Sequence, residues 1–223
     1  MKTKLVIPSI LSEITLGQWM QFNALTNSIE DEVFLQEKTV EIFCNIPIKT
    51  VRSLDFSSVG EICGLLAIVF KSKPKFKQRF VLDGVEFGMI PQLDSISFGE
   101  YIDLDTYFAK ENDIDKAMAV LFRPITSSIG NDYLIEPYNL DKKNNMKRMP
   151  LDVALAAMDF FLLLNQELLM NTISCLEQET LELTPQQRQD LQKNGHGINH
   201  CFSLAEKTFS NLMRSQERNY MSV

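Results

Sequence analysis

The chain has 223 residues, 45% of them hydrophobic and 23% charged, which is the balance of an ordinary globular protein. A chain of this length can bury a sizeable core without disulfides or metals. Its formal net charge of -7 and its pI of about 5.0 argue against general nucleic-acid binding, which needs a basic face to displace counterions from phosphate. We therefore expect no specific nucleic-acid partner.

The cysteines and the amino terminus predict synthesis in a reducing cytoplasm. No two of the four cysteines form a CxxC pair, and the first two lie in apolar runs, where free cysteine behaves as a small hydrophobe. The apolar run Leu5–Ile7 ends at Pro8 and is too short for a secretory signal. The cysteines, all expected to be reduced, are Cys44, Cys63, Cys175 and Cys201.

Three helices are predicted in the amino-terminal part of the chain, and they span residues 16–25, 29–45 and 59–70. Thr15 is a candidate cap for the first, and Pro47 comes after the second. The third is strongly apolar and is preceded by the candidate cap Ser57. It contains Gly60 and Gly64, whose spacing of four residues favours close packing.

The central part of the chain predicts one β-hairpin and two further helices. Apolar runs at 76–82 and 85–90 flank Asp83-Gly84, a pair that suits the positive φ angles of a type I′ turn. Ser97 and Glu100 have the spacing of a capping box, and a helix is predicted from there to Ala109. The remaining predicted elements are a helix at 113–122, which Pro124 stops, and a short strand at 133–135.

The C-terminal part predicts a long apolar helix and then a polar tail. Pro150 suits a helix start because its missing N–H costs nothing there, and the helix is predicted to run from Leu151 to about Glu179. Polar residues interrupt its most apolar stretch, 153–170, so we expect a buried helix and no membrane span. These features predict a helical core domain at 1–179 and a loosely packed C-terminal helical tail at 180–223.

Two segments of the chain are similar over seven positions. Ile14–Met20 (ITLGQWM) and Ile96–Ile102 (ISFGEYI) share a cap hydroxyl, a glycine, a Gln or Glu and an aromatic residue in the same order. After each comes an apolar helix that ends before a proline, so the predicted repeats span about 14–47 and 96–124. We interpret the pattern as a duplicated helical hairpin. The alternative is coincidence between two ordinary capped helices.

The duplication determines the predicted fold. A helical hairpin cannot bury its apolar face alone, whereas two copies can pack against each other. The sequence therefore predicts a mainly α fold in which two duplicated helical hairpins pack together, with one small β-hairpin and a long C-terminal helix. In this arrangement, Trp19 and Tyr101 occupy equivalent positions in a pseudo-symmetric four-helix core.

Five cations around Phe76 are the candidate partner contacts. A strand would place several of them on one face, where they would meet phosphate or an acidic protein surface. The alternative is a solvated hairpin edge, in which lysines prevent edge-to-edge aggregation. The five residues are Lys71, Lys73, Lys75, Lys77 and Arg79. A second basic segment, with the same two interpretations, contains Lys142, Lys143, Lys147 and Arg148.

No catalytic, cofactor or metal site is predicted, and we expect a non-enzymatic protein. His196 and His200 have the spacing of two ligands on one helix, but the glycines flanking His196 disfavour a rigid helix and further ligands are not evident. The Gly-rich phosphate-binding motifs and the common nucleophile motifs are absent from the sequence. The acidic residues interpreted as helix-surface charges or caps are Asp103, Asp105, Asp113 and Asp115.

Four short segments of the chain resemble proteins of tailed bacteriophages, and more narrowly virion-associated, cargo-type proteins of crAss-like phages. The segments are Leu16–Trp19, Phe98–Leu104, Leu121–Pro124 and Tyr133–Pro137. The resemblance covers about residues 10–170, and a weaker one is to phage tail-assembly chaperones. It implies a virion protein, made in the host cytoplasm, whose partners are portal, tail or capsid components. It transfers no catalytic residue. The modest helical core and the polar tail suit packing in many copies, so self-association is a further expectation.

The resemblance implies two functions, and a third comes from a different class. The first is a cargo protein that is packaged in the capsid or tail and ejected into the host. The second is a tail-assembly chaperone absent from the mature particle, with the apolar helix from Leu151 to Met170 as its client surface. The third is a small enzyme with an unrecognised site, which a deep pocket lined by perturbed carboxylates would favour.

Overall fold

The computed structural model describes residues 5–26, 31–91, 96–130, 132–139 and 144–161. The chain divides into two compact units, Met1–Ala157 and Met158–Val223, and nearly all of the described residues belong to the first. The predicted tail at 180–223 lies outside the described residues, and so do His196, His200, Cys175 and Cys201. The predicted division into a core domain and a tail stays a prediction.

The first unit consists of short helices and a four-stranded sheet. Its first half contains α1 (Leu16–Thr26), α2 (Glu32–Phe43), α3 (Ile48–Val51) and α4 (Phe56–Phe70). The hairpin strands β1 (Arg79–Leu82) and β2 (Val85–Met89) come next, and then α5 (Phe98–Phe108), α6 (Ile114–Leu121), β3 (Phe122–Ile129) and β4 (Asp132–Ile135). A last helix, α7, begins at residue 151 and is described as far as residue 161. Short 3₁₀ helices lie at Leu11–Glu13, Glu111–Asp113 and Met146–Arg148.

The predicted turn at Asp83-Gly84 is confirmed. The two residues have φ angles of 52° and 81°, as a type I′ turn requires, and Leu82 pairs with Val85 across it. On the buried face of the sheet, the Phe80 ring stacks on Phe87 with a centroid distance of 5.6 Å. The Phe122 ring meets Phe80 edge to face at 5.3 Å. The hairpin is therefore joined to β3 through an aromatic core.

The prediction of a mainly α fold with one small β-hairpin was wrong, because β1 and β2 belong to a four-stranded antiparallel sheet. The strand order is β1-β2-β3-β4, and β3 begins at Phe122, immediately after α6. Pro124 disfavours helical backbone at the preceding residue, Arg123, so the helix gives way to a strand. The outer half of β3 reads like a loop in the sequence because its residues 126–128 are polar, and most of this half is exposed in the structure.

The short strand predicted at 133–135 is confirmed as β4, which completes the sheet. The Tyr133 ring crosses over Gly88 of β2, where a Cβ atom would lie 2.3 Å from the ring carbon Cε2. The Tyr133 hydroxyl donates to the Met89 carbonyl oxygen at 2.7 Å. The guanidinium of Arg79 lies over the same ring, 4.4 Å from its centroid. The tyrosine therefore ties β4 to β1 and β2.

The two repeated segments have the same structure at their helix starts. The Thr15 N–H donates to Gln18 Oε1 at 2.9 Å, and the Gln18 N–H donates to Thr15 Oγ1 at 3.2 Å. Ser97 and Glu100 form the predicted capping box with the same two bonds, at 2.7 and 3.3 Å. The duplication itself stays a prediction, and this shared local geometry agrees with it.

The repeats do not form the predicted pseudo-symmetric four-helix core, and this part of the fold prediction was wrong. Trp19 is 9% exposed, whereas Tyr101 at the matching position is 58% exposed. The start of α1 is bonded to the segment 146–151, and no equivalent pair of backbone bonds is made by α5 among the described residues. The Leu16 N–H donates to the Met149 carbonyl at 2.9 Å, and the Leu151 N–H donates to the Ile14 carbonyl at 2.8 Å.

The centre of the core is α6, which is buried on nearly all sides. It contacts α1, α5 and the 3₁₀ helix Met146–Arg148, and it continues into β3. The described part of α7 also turns several side chains to the core. The fully or almost fully buried residues of these elements are Ala117, Met118, Val120, Leu121, Phe122, Met146, Met149, Leu151, Val153, Ala154 and Ala157.

The matching glycines of the two repeats are expected to differ in their tolerance of a side chain. A Cβ atom at Gly17 would lie 2.9 Å from the Lys147 backbone oxygen, whereas one at Gly99 would lie 3.2 Å from the Tyr138 ring carbon Cε1. Gly17→Ala should lower the free energy of unfolding by about 1–3 kcal/mol, since backbone must move. Gly99→Ala should change it by less than about 1 kcal/mol, because a ring shifts more easily and alanine favours the helix. Urea unfolding of both variants measures the difference, and equal effects would contradict it.

Candidate interaction surface

The five candidate cations do not lie on one strand face. Strand β1 begins at Arg79, so that residues 73–77 form an irregular connection after α4. The expectation that a strand aligns them was therefore wrong, because Pro74 interrupts the run before pairing begins. We call residues 71–77 the lysine segment. Its side chains at Lys71, Lys73 and Lys75 are exposed and have no ion pair among the described residues.

Lys77 and Arg79, the other two candidates, have partners among the described residues. The Lys77 Nζ lies 2.6 Å from Asp152 Oδ2 on α7. Arg79 lies over the Tyr133 ring and donates to Ser128 Oγ at 3.2 Å. These two cations therefore have contacts within the fold, whereas the three lysines before them have no ion pair among the described residues.

The second basic segment also contains one exposed cation and one cation with a described partner. Lys142 and Lys143 lie outside the described residues. Lys147 is exposed, and Arg148 donates to Asp83 Oδ2 at 2.9 Å. Both members of the Arg148–Asp83 pair are largely exposed, with side-chain exposures of 72% and 53%, so the pair contributes little to stability.

Helix α4 presents a second apolar face to solvent. Its buried side chains at Ile62, Leu66 and Val69 lie on the face that packs against α2. On the opposite side, Phe56 is 79% exposed and Ile68 is 67% exposed. The helix begins at Phe56, earlier than the predicted Ser57 cap, with Asp55 as its N-cap residue. The sequence pattern did not assign this exposed apolar face to any contact.

The glycines of α4 do not pack within the described part of the chain. No described neighbour lies within 4 Å of a Cβ atom built at Gly60 or Gly64. The expectation that they permit close packing is thus not fulfilled among the described residues, because they lie on the solvent side of the helix.

Helix α5 has a smaller exposed apolar patch, formed by Phe98, Tyr101 and Ile102, which are 78%, 58% and 45% exposed. The matching residues of the first repeat include Leu16, which is completely buried, and Trp19. Residues 146–151 bond to the start of the first repeat, and Tyr138 packs on the second repeat at Gly99, but the Phe98, Tyr101 and Ile102 side chains stay exposed. At Phe98 and Tyr101, the α5 patch is therefore exposed where the matching side chains of the first repeat are buried.

A buried ion pair joins α5 to β3 beneath this patch. Arg123 Nη2 donates to Glu100 Oε1 at 2.6 Å, and the two side chains are only 11% and 8% exposed. The second carboxylate oxygen of Glu100 accepts from the Ser97 N–H, so both oxygens are bonded. Next to the pair, the Tyr138 hydroxyl donates to Asp103 Oδ2 at 2.7 Å, and burial together with this carboxylate raises the Tyr138 pKa. These contacts hold α5 in place and engage its carboxylates at Glu100 and Asp103.

The two described cysteines are free thiols, as predicted, and their pKa values are raised. Burial, with a smaller contribution from Cys63, raises the pKa of Cys44 from 9.0 to about 11. Burial also raises the pKa of Cys63. Because the thiolate is the nucleophile, both are poor candidates for covalent chemistry at neutral pH.

Cys44 is expected to react about a hundredfold more slowly with iodoacetamide at pH 8 in the folded chain than in the unfolded chain. The reason is that a pKa of about 11 leaves a hundredth of the thiolate that a pKa of 9.0 allows. Since the unfolded thiol ionises first, the free energy of unfolding should fall as the pH rises from 9 towards 11. Mass-spectrometric peptide mapping measures the rate, and rapid alkylation of folded Cys44 would contradict burial.

Two of the four acidic residues interpreted as helix-surface charges or caps have a described hydrogen-bond partner, one of them nearby in sequence and the other 35 residues away. Asp113 Oδ1 lies 2.5 Å from Lys116 Nζ, and Asp103 accepts from Tyr138. Within the part of the chain that the structure describes, no group of three or more His, Cys, Asp or Glu side chains is arranged to hold a metal ion. None of the described helices has the length and hydropathy needed to cross a membrane.

No family model, curated protein or solved structure matches the chain.

Proposed function

We propose that the protein is a non-enzymatic virion protein of a tailed bacteriophage, packaged as cargo in the capsid or tail and ejected into the host. The observation that carries the binding part of this proposal is the lysine segment. Lys71, Lys73 and Lys75 are exposed and unpaired among the described residues, on a chain whose net charge is -7. A local basic site on an acidic protein favours one oriented contact with an acidic partner surface, such as a portal, tail or capsid component.

Quantitative mass spectrometry of gradient-purified particles, before and after triggered DNA release, tests the proposal. Many copies per full particle that disappear on release support ejected cargo. Retention after release would make the protein a fixed structural component. Absence from particles, with abundance in the infected-cell lysate, would contradict the cargo assignment.

The contribution of the lysine segment has its own test. We expect particles made with Lys73→Glu/Lys75→Glu to contain at least about tenfold fewer copies, since reversed charges repel an acidic partner. The matched control is Lys49→Glu/Lys110→Glu, which makes the same charge change at exposed lysines without a described ion pair. Equal incorporation of the two variants would show that the lysine segment is not the contact.

A tail-assembly chaperone is the second candidate function, and the α5 patch favours it. The client surface expected on the apolar helix from Leu151 is not available in its described part, where Leu151, Val153 and Ala154 are buried. The exposed Phe98, Tyr101 and Ile102 offer an apolar surface instead. In that case the protein is absent from particles. A tail component that co-purifies with it from infected cells is lost with Phe98→Asp but retained with the Lys49→Glu/Lys110→Glu control.

A further inference from the structure

The solvent-facing side of α4 carries an apolar row along the whole helix. Phe56, Gly60, Gly64 and Ile68 recur at every fourth residue, so they lie on one side of the helix. The helix has 15 residues, which gives the row a length of about 20 Å. Its two ends are large exposed side chains, and its centre is flat because both residues there are glycine. A surface of this shape fits another helix with a similarly flat centre.

We propose that this row binds the same row of a second copy of the chain, with the two α4 helices antiparallel. The row is symmetric about its midpoint. Reversing one helix places Phe56 against Ile68 of the second copy and Gly60 against Gly64 of the second copy. A two-fold symmetric dimer needs such a self-complementary patch, since each residue pairing occurs twice.

The glycines have a function in the dimer that they lack in the single chain. Glycine inside a helix lowers stability relative to alanine, and no described neighbour occupies the space beside Gly60 or Gly64. When glycines face each other, two helix backbones approach closely and gain dispersion contacts over a larger area. The large residues at the two ends of the row then enclose the glycine contact.

The charges at the ends of α4 select a second copy in the antiparallel orientation. Asp55 precedes the helix and Lys71 comes directly after it, and both are exposed. Within the described ranges, the Asp55 side chain makes no cap hydrogen bond to the backbone and accepts one long hydrogen bond, of 3.4 Å, from Ser58 Oγ. Antiparallel pairing brings each Asp55 to the same end of the interface as Lys71 of the other copy, whereas parallel pairing would bring like charges to the same end. The opposed helix dipoles add to this preference.

The dimer is expected to be weak. A single helix pair buries less than the roughly 1,200 Å² of the smallest standard interfaces, so we expect a dissociation constant on the order of 10 µM. The inference concerns the purified chain and does not depend on the phage assignment. A chain that dimerises but is absent from particles would leave the inference intact while removing the proposed function.

Sedimentation equilibrium of the full-length chain from about 1 to about 200 µM tests the dimer directly. Gly60→Leu should raise the dissociation constant at least about tenfold, since it inserts a side chain where the backbones meet. The matched control is Thr106→Leu, which adds the same side chain at an exposed position of α5 and should leave dimerisation unchanged. Far-ultraviolet circular dichroism confirms that each variant is folded.

A charge exchange tests the orientation. Asp55→Lys alone and Lys71→Asp alone should each weaken dimerisation about tenfold, because each creates two like-charge contacts per dimer. Mixing the two variants in equal amounts should restore wild-type affinity. In the mixed antiparallel dimer, one copy has lysine at both positions and the other has aspartate at both, so both contacts are attractive.

Three results would overturn the proposal. A chain that stays monomeric over the whole concentration range has no such interface. A dimer that Gly60→Leu does not weaken uses another surface. Failure of the mixed variants to associate better than either variant alone excludes the antiparallel pairing. If the chain is monomeric and floats with vesicles of anionic lipid, the apolar row and Lys71 contact a membrane surface instead.

Discussion

Replacing Arg123 with methionine is expected to lower the free energy of unfolding by about 3–5 kcal/mol. The change removes the cation that lies 2.6 Å from Glu100 Oε1 and leaves a carboxylate whose side chain is 8% exposed without its charge partner. Methionine fills much of the arginine volume, so the loss reflects an uncompensated buried charge more than a cavity. Urea unfolding monitored by circular dichroism gives the change from the shift in midpoint.

Arg148→Met is the matched control for this variant. It removes an arginine from the Arg148–Asp83 pair, which has a similar geometry but exposed partners, and it should cost less than about 1 kcal/mol. Comparable losses in the two variants would mean that burial does not determine the strength of the Glu100–Arg123 pair. A double variant, Glu100→Gln/Arg123→Met, should recover part of the loss because no charge is then left buried.

The local signals in the sequence predicted local structure well. The Asp83-Gly84 turn and the Ser97–Glu100 capping box are both present, because each depends on bonds between residues at most three apart. The Asp31 cap of α2 was not predicted, because the helix was expected to begin at Ile29; its carboxylate accepts from the N–H groups of Val33 and Phe34. The ends of helices were less well predicted, since a helix end also depends on the side chains that pack beside it.

The sheet could not be predicted from the same signals. Strand β3 pairs with β2, whose partner residues lie more than 30 positions away, for example Phe87 with Pro124. A strand with polar residues on its outer half is stabilised by that pairing and by the aromatic contact of Phe122, neither of which leaves a local pattern. Pro124 was correctly interpreted as a helix stop, but tertiary contacts decide whether a strand or a loop comes after the stop.

The repeated segments illustrate the difference between local and tertiary information. Seven matching residues produce the same capping geometry twice, yet Trp19 is buried and Tyr101 is exposed. The start of the first repeat is bonded to Met149 and Leu151, which are more than 120 positions away from it in sequence. Similarity in sequence therefore predicted the conformation of each helix start and did not predict its neighbours.

Only part of the candidate interaction surface could be predicted from the sequence. The lysine segment was recognised, but its separation into fold-stabilising and exposed cations depends on Asp152 and Tyr133, which are distant in sequence. The exposed face of α4 was missed, although it left a signal. Its apolar residues at Phe56, Leu65 and Ile68 exceed what one core-facing stripe can hold. An apolar excess of this kind marks a helix with a second contact face.

Gly88→Ala is expected to lower the free energy of unfolding by about 2–4 kcal/mol, which combines overpacking with the loss of one hydrogen bond. The new Cβ atom would lie 2.3 Å from Tyr133 Cε2 and 3.0 Å from Ile125 Cγ1. The tyrosine ring must therefore leave β2, and its hydroxyl must give up the Met89 carbonyl. Thermal and urea unfolding of the variant measure the loss.

Making Gly88→Ala in a second protein background shows whether the clash with Tyr133 causes the loss of stability. In a Tyr133→Ala chain the ring is absent, so adding Gly88→Ala should cost less than about 1 kcal/mol, and the difference from the wild-type background is the coupling between the two residues. If Gly88→Ala costs the same in both backgrounds, the glycine is required by the strand backbone or by Ile125. A large coupling instead shows that one small residue in β2 allows a distant strand, β4, to fasten the outer face of the sheet. Because this contact joins residues far apart in sequence, the sequence predicted the strand β4 but did not predict that its tyrosine packs on β2.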